Sequence, residues 1–325
     1  MRYVLPLIAA VFIVVALTLL IAPALTADEP AESGSVSVDG GEHNNAKVEA
    51  LVPEEKKDPV VEKAEEKLRE EKQSAQKYDD VWVTTSPGST KPFALLQLFT
   101  SEGCSSCPPA DRLLTQIREQ AKAEEEPIYP LSFHVDYWNR LGWKDPYSSS
   151  VYSDLQKQYA HVWHAPNIYT PQMIVNGFEG FVGSNAKVAN EQINLALTTG
   201  PQYMISLMAE VQPKMPDKVK VNWMVSALHR AKIRPLDLAI AITENDLASK
   251  VTSGENSGKT LMHSQVVRVY KVIPLTEENL SSSVDLQIPK QSIVGNTRIV
   301  AYIQDPETMG ILGATRVDYP TPNDE

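Results

Sequence analysis

The order of apolar and polar residues predicts alternating strands and helices in the middle of the chain. Short apolar runs of strand length alternate with segments whose apolar residues recur at helical spacing. The dipeptide Asn176-Gly177 indicates a tight hairpin between two of the strands. The predicted strands lie at 93–100, 128–135, 172–175 and 178–182, and the predicted helices at 108–123, 148–160 and 184–197. The order of elements is therefore β-α-β-α-β-β-α.

Beyond Pro201 the pattern predicts strands only, because apolar residues alternate with polar ones. Two such segments place Val219, Val221, Trp223 and Val225, and Leu236, Leu238, Ile240 and Ile242, on one face of a strand. We therefore expect an α/β domain at 81–200 followed by an all-β, sandwich-like domain at 201–325.

The N-terminal 80 residues show two other patterns. Arg2 precedes a long uncharged apolar run and then small residues, which is typical of an export signal. Residues 1–27 are therefore predicted to be a cleaved signal peptide or an uncleaved signal anchor, since the apolar run approaches the length of a spanning helix. Residues 28–80 are predicted to be a charged, mostly disordered linker with partial helix. The expected location is extracytoplasmic, either periplasmic or membrane-anchored and facing the periplasm.

Composition narrows the class of protein. The 325 residues are 42% hydrophobic and carry a net charge of -11, so we expect no nucleic-acid partner. The linker holds most of this negative charge, because 16 acidic and 8 basic residues lie within 28–80. Only Cys104 and Cys107 are cysteines, which excludes a four-thiolate metal site within one chain.

These two cysteines form a Cys-x-x-Cys pair between a predicted strand and a predicted helix. A thiol at a helix N-terminus has a lowered pKa, because free amide N–H groups and the helix dipole stabilise the thiolate. Cys104 is accordingly the candidate nucleophile, and Cys107 the thiol that resolves the mixed disulfide. The expected redox group is their disulfide, with no other cofactor and no metal.

The chain resembles thioredoxin-like proteins in general and, more closely, the secreted bacterial family called domain of unknown function 1223. Residues 98–114, 133–147, 169–177 and 254–268 carry the resemblance, which extends over about 92–318. It implies a thioredoxin-like fold for 81–200, in which Thr170-Pro171 forms a cis-proline loop facing the cysteines. The family usually has an aspartate at the position of Asn139, so no role that requires a carboxylate is transferred there.

Other residues are candidates for the same site. Thr170 and Pro171 are predicted to bind an extended substrate segment, and Trp138 and Trp143 to form an aromatic rim. His134 and Asp136 are candidates for a proton shuttle, with a purely structural role as the alternative.

Three functions remain open from the sequence. The first is an extracytoplasmic thiol–disulfide oxidoreductase that acts on protein thiols or disulfides and exchanges electrons with a membrane or periplasmic redox partner. The second is a Cu(I) carrier that binds the metal through both thiolates and His134. The third is a non-enzymatic binding module in which the disulfide is structural.

Overall fold

The computed structural model describes residues 81–228 and 235–321. The predicted export segment at 1–27 and the predicted linker at 28–80 lie outside the described residues. The helices are α1 (Pro108–Ala123), α2 (Ser150–Val162) and α3 (Ala186–Ala196). The first strands are β1 (Trp82–Ser86), β2 (Ala94–Thr100), β3 (Ile128–His134), β4 (Gln172–Val175), β5 (Phe181–Val182), β6 (Tyr203–Val211) and β7 (Lys218–Ala227). The remaining strands are β8 (Leu236–Glu244), β9 (Leu247–Lys250), β10 (Thr260–His263), β11 (Val266–Leu275), β12 (Ser281–Gln287), β13 (Thr297–Gln304) and β14 (Ile311–Asp318).

These strands form three sheets. The largest has eight strands in the order β14-β13-β8-β11-β3-β2-β4-β5, with β3 parallel to both of its neighbours and the other pairs antiparallel. A four-stranded antiparallel sheet has the order β1-β6-β7-β12, and β9 and β10 form a small hairpin. Within the described residues, none of the helices is long and apolar enough to span a membrane.

The large sheet shows that the predicted fold class is wrong. A thioredoxin-like α/β domain followed by a separate all-β sandwich would keep the strands before and after residue 200 apart. Instead β3 pairs with β11, where Val266 lies beside Ser132 and the amide of Ser132 donates to the carbonyl of Gln265 at 2.8 Å. The physical reason is that β11 covers an edge of the buried strand β3 that would otherwise stay unpaired. The described residues thus form a mostly β structure, with fourteen strands and three α-helices.

The local elements agree better with the sequence patterns. The Asn176-Gly177 turn joins β4 to β5, and both of its residues have positive φ, as the predicted hairpin requires. The returning strand is short, because only Phe181–Val182 pairs with β4. The first turn of α3 is capped by the side chain of Asn185, which accepts a hydrogen bond from the amide of Val188.

The core has a different cover on each face of the eight-stranded sheet. Helix α2 packs on one face, against side chains that include Phe99, Phe133 and Tyr302. The other face is covered by α1 and α3 near β2 and β4, and by the four-stranded sheet near β8 and β13. The residues that the sequence pattern placed on one face of β7 and of β8 all lie in the hydrophobic core between the large sheet and the four-stranded sheet. This packing buries the C-terminal end of β2, where the cysteine motif begins.

Candidate functional site

The two cysteines form a disulfide in the turn that leads from β2 into α1. Their Cα atoms are 5.5 Å apart, and Cys107 is the N-cap of α1. Pro108 and Pro109 open the helix, where a residue without an amide hydrogen costs little. The backbone turn is closed by the amide of Cys107, which donates to the carbonyl of Cys104 at 3.2 Å. The predicted position of the motif, between a strand and a helix, is therefore correct.

The disulfide is buried, although the two residues between the cysteines are exposed. Cys104 is 1% exposed and Cys107 is 0% exposed. The Sγ of Cys104 lies 3.3 Å from the hydroxyl of Ser106 and 3.8 Å from the carbonyl oxygen of Thr170. A disulfide sulfur carries no hydrogen, so Ser106 is the donor of the first contact. Any attack on Cys104 therefore requires neighbouring groups to move.

Two of the predicted substrate-binding residues lie beside this sulfur. The Thr170–Pro171 peptide bond is cis, as the sequence led us to expect. The indole N–H of Trp138 donates to the hydroxyl of Thr170 at 2.8 Å. The Cβ of Trp138 also lies 3.0 Å from where a Cβ on Gly103 would stand, so a larger residue there would push Trp138 away by a few tenths of an ångström. Thr170 thus lies beside the disulfide, and Trp138 holds Thr170 and packs against the turn at Gly103.

Trp143 and Asp136 contact other parts of the structure. The indole N–H of Trp143 donates to the carboxylate of Glu102 at 2.7 Å. Asp136 accepts from the hydroxyl of Ser153 at 2.5 Å, which ties it to α2. The described structure therefore does not join Asp136 to His134, and the two residues have different partners.

His134 belongs instead to a buried polar cluster behind the cysteine motif. Its Nδ1 lies 2.7 Å from Asp145, and both side chains are fully buried. A second buried pair joins Nε2 of His263 to Glu102 at 2.9 Å. The two imidazole rings are 4.8 Å apart, so the pairs are neighbours. Asp145 also accepts from the amide of Glu102 at 2.8 Å, which links the cluster to the cysteine turn.

The electrostatics of His134 and Asp145 are those of an ion pair. Burial is the largest single influence and lowers the pKa of His134, but the carboxylates of Asp145, Asp111 and Glu102, with Asp145 foremost, together raise it above its ordinary value. Burial alone would raise the pKa of Asp145, but His134 and the backbone amides of Glu102 and Tyr147 lower it. Both groups are therefore stabilised in their charged forms near neutral pH.

A loop between β9 and β10 packs over the cysteine turn. Asn256 in this loop is 0% exposed, and its side-chain amide donates to the carbonyls of Glu102 (2.8 Å) and Cys104 (3.0 Å). Its side-chain oxygen accepts from Lys259 at 2.9 Å. The exposed carboxylate of Glu255 accepts from the amide of Ser105 at 2.9 Å. We name residues 251–259 the covering loop, since they hold the motif in its closed position.

Sequence reasoning missed four residues that build this site: Glu102, Asp145, Asn256 and His263. Glu102 and His263 are 161 residues apart, and the sequence offers no signal that connects them. Asn256 lies in the loop that joins β9 to β10, and its contacts with the motif have no signal in the sequence. A detectable signal was the position of Glu102, an acidic residue two before Cys104.

The arrangement defines a class of protein by its fold and site together. It is a mostly β protein with a mixed eight-stranded sheet, a buried Cys-x-x-Cys disulfide at a helix start, and paired histidines and carboxylates behind it. Within the described residues, no three His, Cys, Asp or Glu side chains are arranged to hold a metal ion. Chemically, the disulfide can accept an electron pair, while the buried pairs can hold protons.

The chain belongs to the family described as "Protein of unknown function (DUF1223)", whose profile matches residues 95–304. This match covers both sides of the β3–β11 junction and extends over seven strands of the eight-stranded sheet, ending before the edge strand β14. Among curated protein sequences, no significant match to this chain is found.

Solved structures provide two further comparisons. The crystal structure of protein AGR_C_4864 from Agrobacterium tumefaciens is similar with a TM-score of 0.52 and 22% identity, over 73% of this chain and 99% of that one. HBP35 of Porphyromonas gingivalis is similar with a TM-score of 0.55 and 16% identity, over 73% of this chain and 80% of that one. At such identities the likeness concerns the fold alone.

Proposed function

We propose that this protein is an extracytoplasmic thiol–disulfide oxidoreductase that reacts through Cys104 and Cys107. The observation that carries the proposal is the Cys104–Cys107 disulfide at the N-terminus of α1, with the Cys104 sulfur 3.8 Å from the Thr170 carbonyl. The helix N-terminus favours a thiolate at this position, and the Ser106 hydroxyl at 3.3 Å is placed to donate to it.

The reaction is an exchange of one disulfide for another. A thiolate of a substrate dithiol attacks Cys104 Sγ, the Cys104–Cys107 bond breaks, and its electron pair leaves on Cys107 Sγ. The second substrate thiolate then attacks the mixed disulfide and releases Cys104 as a thiolate. The substrate is oxidised by two electrons and the protein is reduced by two, and the reverse sequence oxidises the protein.

The partners follow from this chemistry and from the N-terminal sequence. Protein thiols or disulfides are the proposed substrates, and a membrane or periplasmic partner restores the starting redox state. The predicted export segment at 1–27 supports an extracytoplasmic location, where a disulfide persists. Whether cleaved or kept as an anchor, this segment directs the same domain to the same side of the membrane.

The buried position of Cys104 leads to a prediction about the covering loop. Asn256→Ala removes both hydrogen bonds to the carbonyls of Glu102 and Cys104, and such bonds contribute about 1 kcal/mol each. We expect the variant's disulfide to be reduced by dithiothreitol about 30-fold faster, since opening becomes about 2 kcal/mol cheaper. Ser257→Ala, which alters an exposed side chain in the same loop, is the matched control. Equal reduction rates in wild type and Asn256→Ala would mean that the loop does not control access.

A structural disulfide in a binding module is the second candidate function, and the low exposure of Cys104 favours it. The two candidates differ in reduction potential and turnover. A structural disulfide has a potential below about -300 mV and resists reduction by glutathione. No corresponding observation favours the Cu(I) carrier, because within the described residues His134 and the two cysteines do not form a group arranged to hold a metal ion.

One experiment with the full chain separates the two candidates. The disulfide is equilibrated with glutathione buffers of defined ratio, and insulin reduction in the presence of dithiothreitol is followed in parallel. We expect partial reduction within the glutathione range together with catalysed insulin reduction. A disulfide that stays oxidised throughout, with no catalysis, would replace the oxidoreductase proposal with the structural one.

A further inference from the structure

The polar cluster behind the motif contains two buried imidazole nitrogens for which the described residues offer no partner, Nε2 of His134 and Nδ1 of His263. The buried carboxyl group of Asp111 faces the charges of both histidines and the hydroxyl of Thr100. Each imidazole has its other nitrogen fixed by a carboxylate, at 2.7 Å for His134 and 2.9 Å for His263. Buried polar groups without partners are rare and costly, so such a concentration calls for a functional explanation.

Asp111 connects this cluster to the disulfide. It lies on α1 four residues after Cys107, and its amide donates to the Cys107 carbonyl at 3.2 Å. Residues four apart share one face of a helix, and both of these side chains are buried. Burial raises the pKa of Asp111, while the charges of His263 and His134 act in the opposite direction. A carboxyl group whose pKa is raised by burial keeps its proton to higher pH than an exposed one.

Cys107 needs a proton source because it is 0% exposed. When the disulfide opens, the electron pair left on its sulfur forms a thiolate that water cannot solvate, so the N-terminus of α1 and a proton are what can stabilise it. The exchange proposed above therefore needs a proton donor on the buried side of the bond. Asp111, which is buried one helical turn after Cys107, is the group of the cluster that the helix brings next to it.

We propose that Asp111, His134 and His263 form a buried proton site that protonates Cys107 as the disulfide opens and accepts the proton back as it closes. On opening, the sulfur–sulfur electron pair moves to Cys107 Sγ, which takes a proton from the site. On closing, the site takes the Cys107 proton, and the resulting thiolate attacks the sulfur of Cys104 and releases the substrate thiolate. This inference rests on the proposed exchange activity and identifies its positioning residues.

Other charged groups set the proton affinity of this site. Glu102 and Asp145 pair with the two histidines. The ring of Tyr147 packs edge-on against both imidazoles, 5.5 Å from His134 and 5.7 Å from His263. Arg268 of β11 stacks over Tyr147 at 5.2 Å and pairs with Glu244 of β8, which leaves its charge at the periphery of the cluster.

The test is the pH dependence of disulfide opening in the full chain. The rate of reduction by dithiothreitol is measured across neutral pH and divided by the thiolate fraction of the reductant. In wild type we expect this corrected rate to fall as pH rises and the site loses its proton. In Asp111→Asn we expect this decrease with pH, and the inflection that marks it, to disappear. We also expect the corrected rate at low pH to fall about tenfold or more. Thr115→Val, one helical turn further along α1, is the matched control.

The outcomes separate this inference from the proposed function. Identical corrected profiles in wild type and Asp111→Asn would overturn the proton site, even if insulin reduction continued. If the wild type showed the inflection but did not catalyse insulin reduction, that result would instead overturn the proposed oxidoreductase activity. If Asp111→Asn does not fold, His263→Gln provides the same comparison. Tight stoichiometric binding of Zn²⁺, added alone to the wild type, would also overturn the proton site, because the unpartnered atoms would then be metal ligands.

Discussion

Cys104→Ser should abolish disulfide exchange completely, because the only sulfur positioned for attack is then lost. Burial does not distinguish the two cysteines, since Cys104 is 1% exposed and Cys107 is 0% exposed. What distinguishes Cys104 is that its sulfur faces the Thr170 carbonyl, where an extended substrate segment would bind once neighbouring groups have moved. Insulin reduction by Cys104→Ser is expected to equal the uncatalysed rate. Retained catalysis in this variant would mean that Cys104 is not the nucleophile.

Cys107→Ser should behave differently from Cys104→Ser. The remaining thiol at Cys104 can attack a substrate disulfide, but no second thiol resolves the mixed disulfide that results. A covalent adduct should therefore accumulate, visible on a non-reducing gel and released by dithiothreitol. The double variant Cys104→Ser/Cys107→Ser is the control and should give no adduct. Failure to trap any partner from the native compartment would contradict the assigned roles of the two cysteines.

Local features of the sequence predicted local features of the fold. The strand–helix junction at Cys104, the hairpin at Asn176-Gly177 and the inward face of β8 all depend on residues close together in sequence. Their turn chemistry and apolar periodicity are sufficient to specify them. Such features position the disulfide at the start of α1, and they could be derived without a structure.

Long-range pairing could not be derived in the same way. The junction of β3 with β11 places Val266 beside Ser132, and alternation within each strand carries no information about that neighbour. The polar cluster of the site could not be derived for the same reason, because the pairing of β11 with β3 is what brings His263 next to Glu102. The sequence places His263 in the predicted all-β domain, apart from the cysteine motif, and so assigns it no role. The wrong fold class and the incomplete site therefore have one physical cause.

The merged sheet also explains why the disulfide is buried. The β9–β10 hairpin follows β8 and directly precedes β11, so the pairing of β11 with β3 brings the covering loop over the motif. Asn256 then satisfies two backbone carbonyls of the cysteine turn. The cysteine turn is thus covered by a segment far from it in sequence.

Asp145→Ala should destabilise the described domain more than any surface substitution. It would leave the buried His134 imidazole and the amide of Glu102 without the carboxylate that now accepts from both. Breaking a buried pair by removing one partner costs about 3–5 kcal/mol. We expect a loss of this size in the free energy of unfolding, measured with urea while the disulfide is intact. Asp154→Ala, which removes an exposed partner of Lys157, is the control and should change little.

The pH dependence of this loss identifies its origin. The raised pKa of His134 makes its contribution complete below its ordinary pKa of 6.5, and the contribution is lost as pH rises through the raised value. The lowered pKa of Asp145 makes its contribution complete above its ordinary pKa of 3.8, and that contribution is lost as pH falls through the lowered value. The difference between wild type and Asp145→Ala should therefore be largest between pH 3.8 and 6.5 and should shrink on either side. A difference that does not vary with pH would attribute the loss to packing, and the ion pair would then not be what holds the cysteine turn against the cluster.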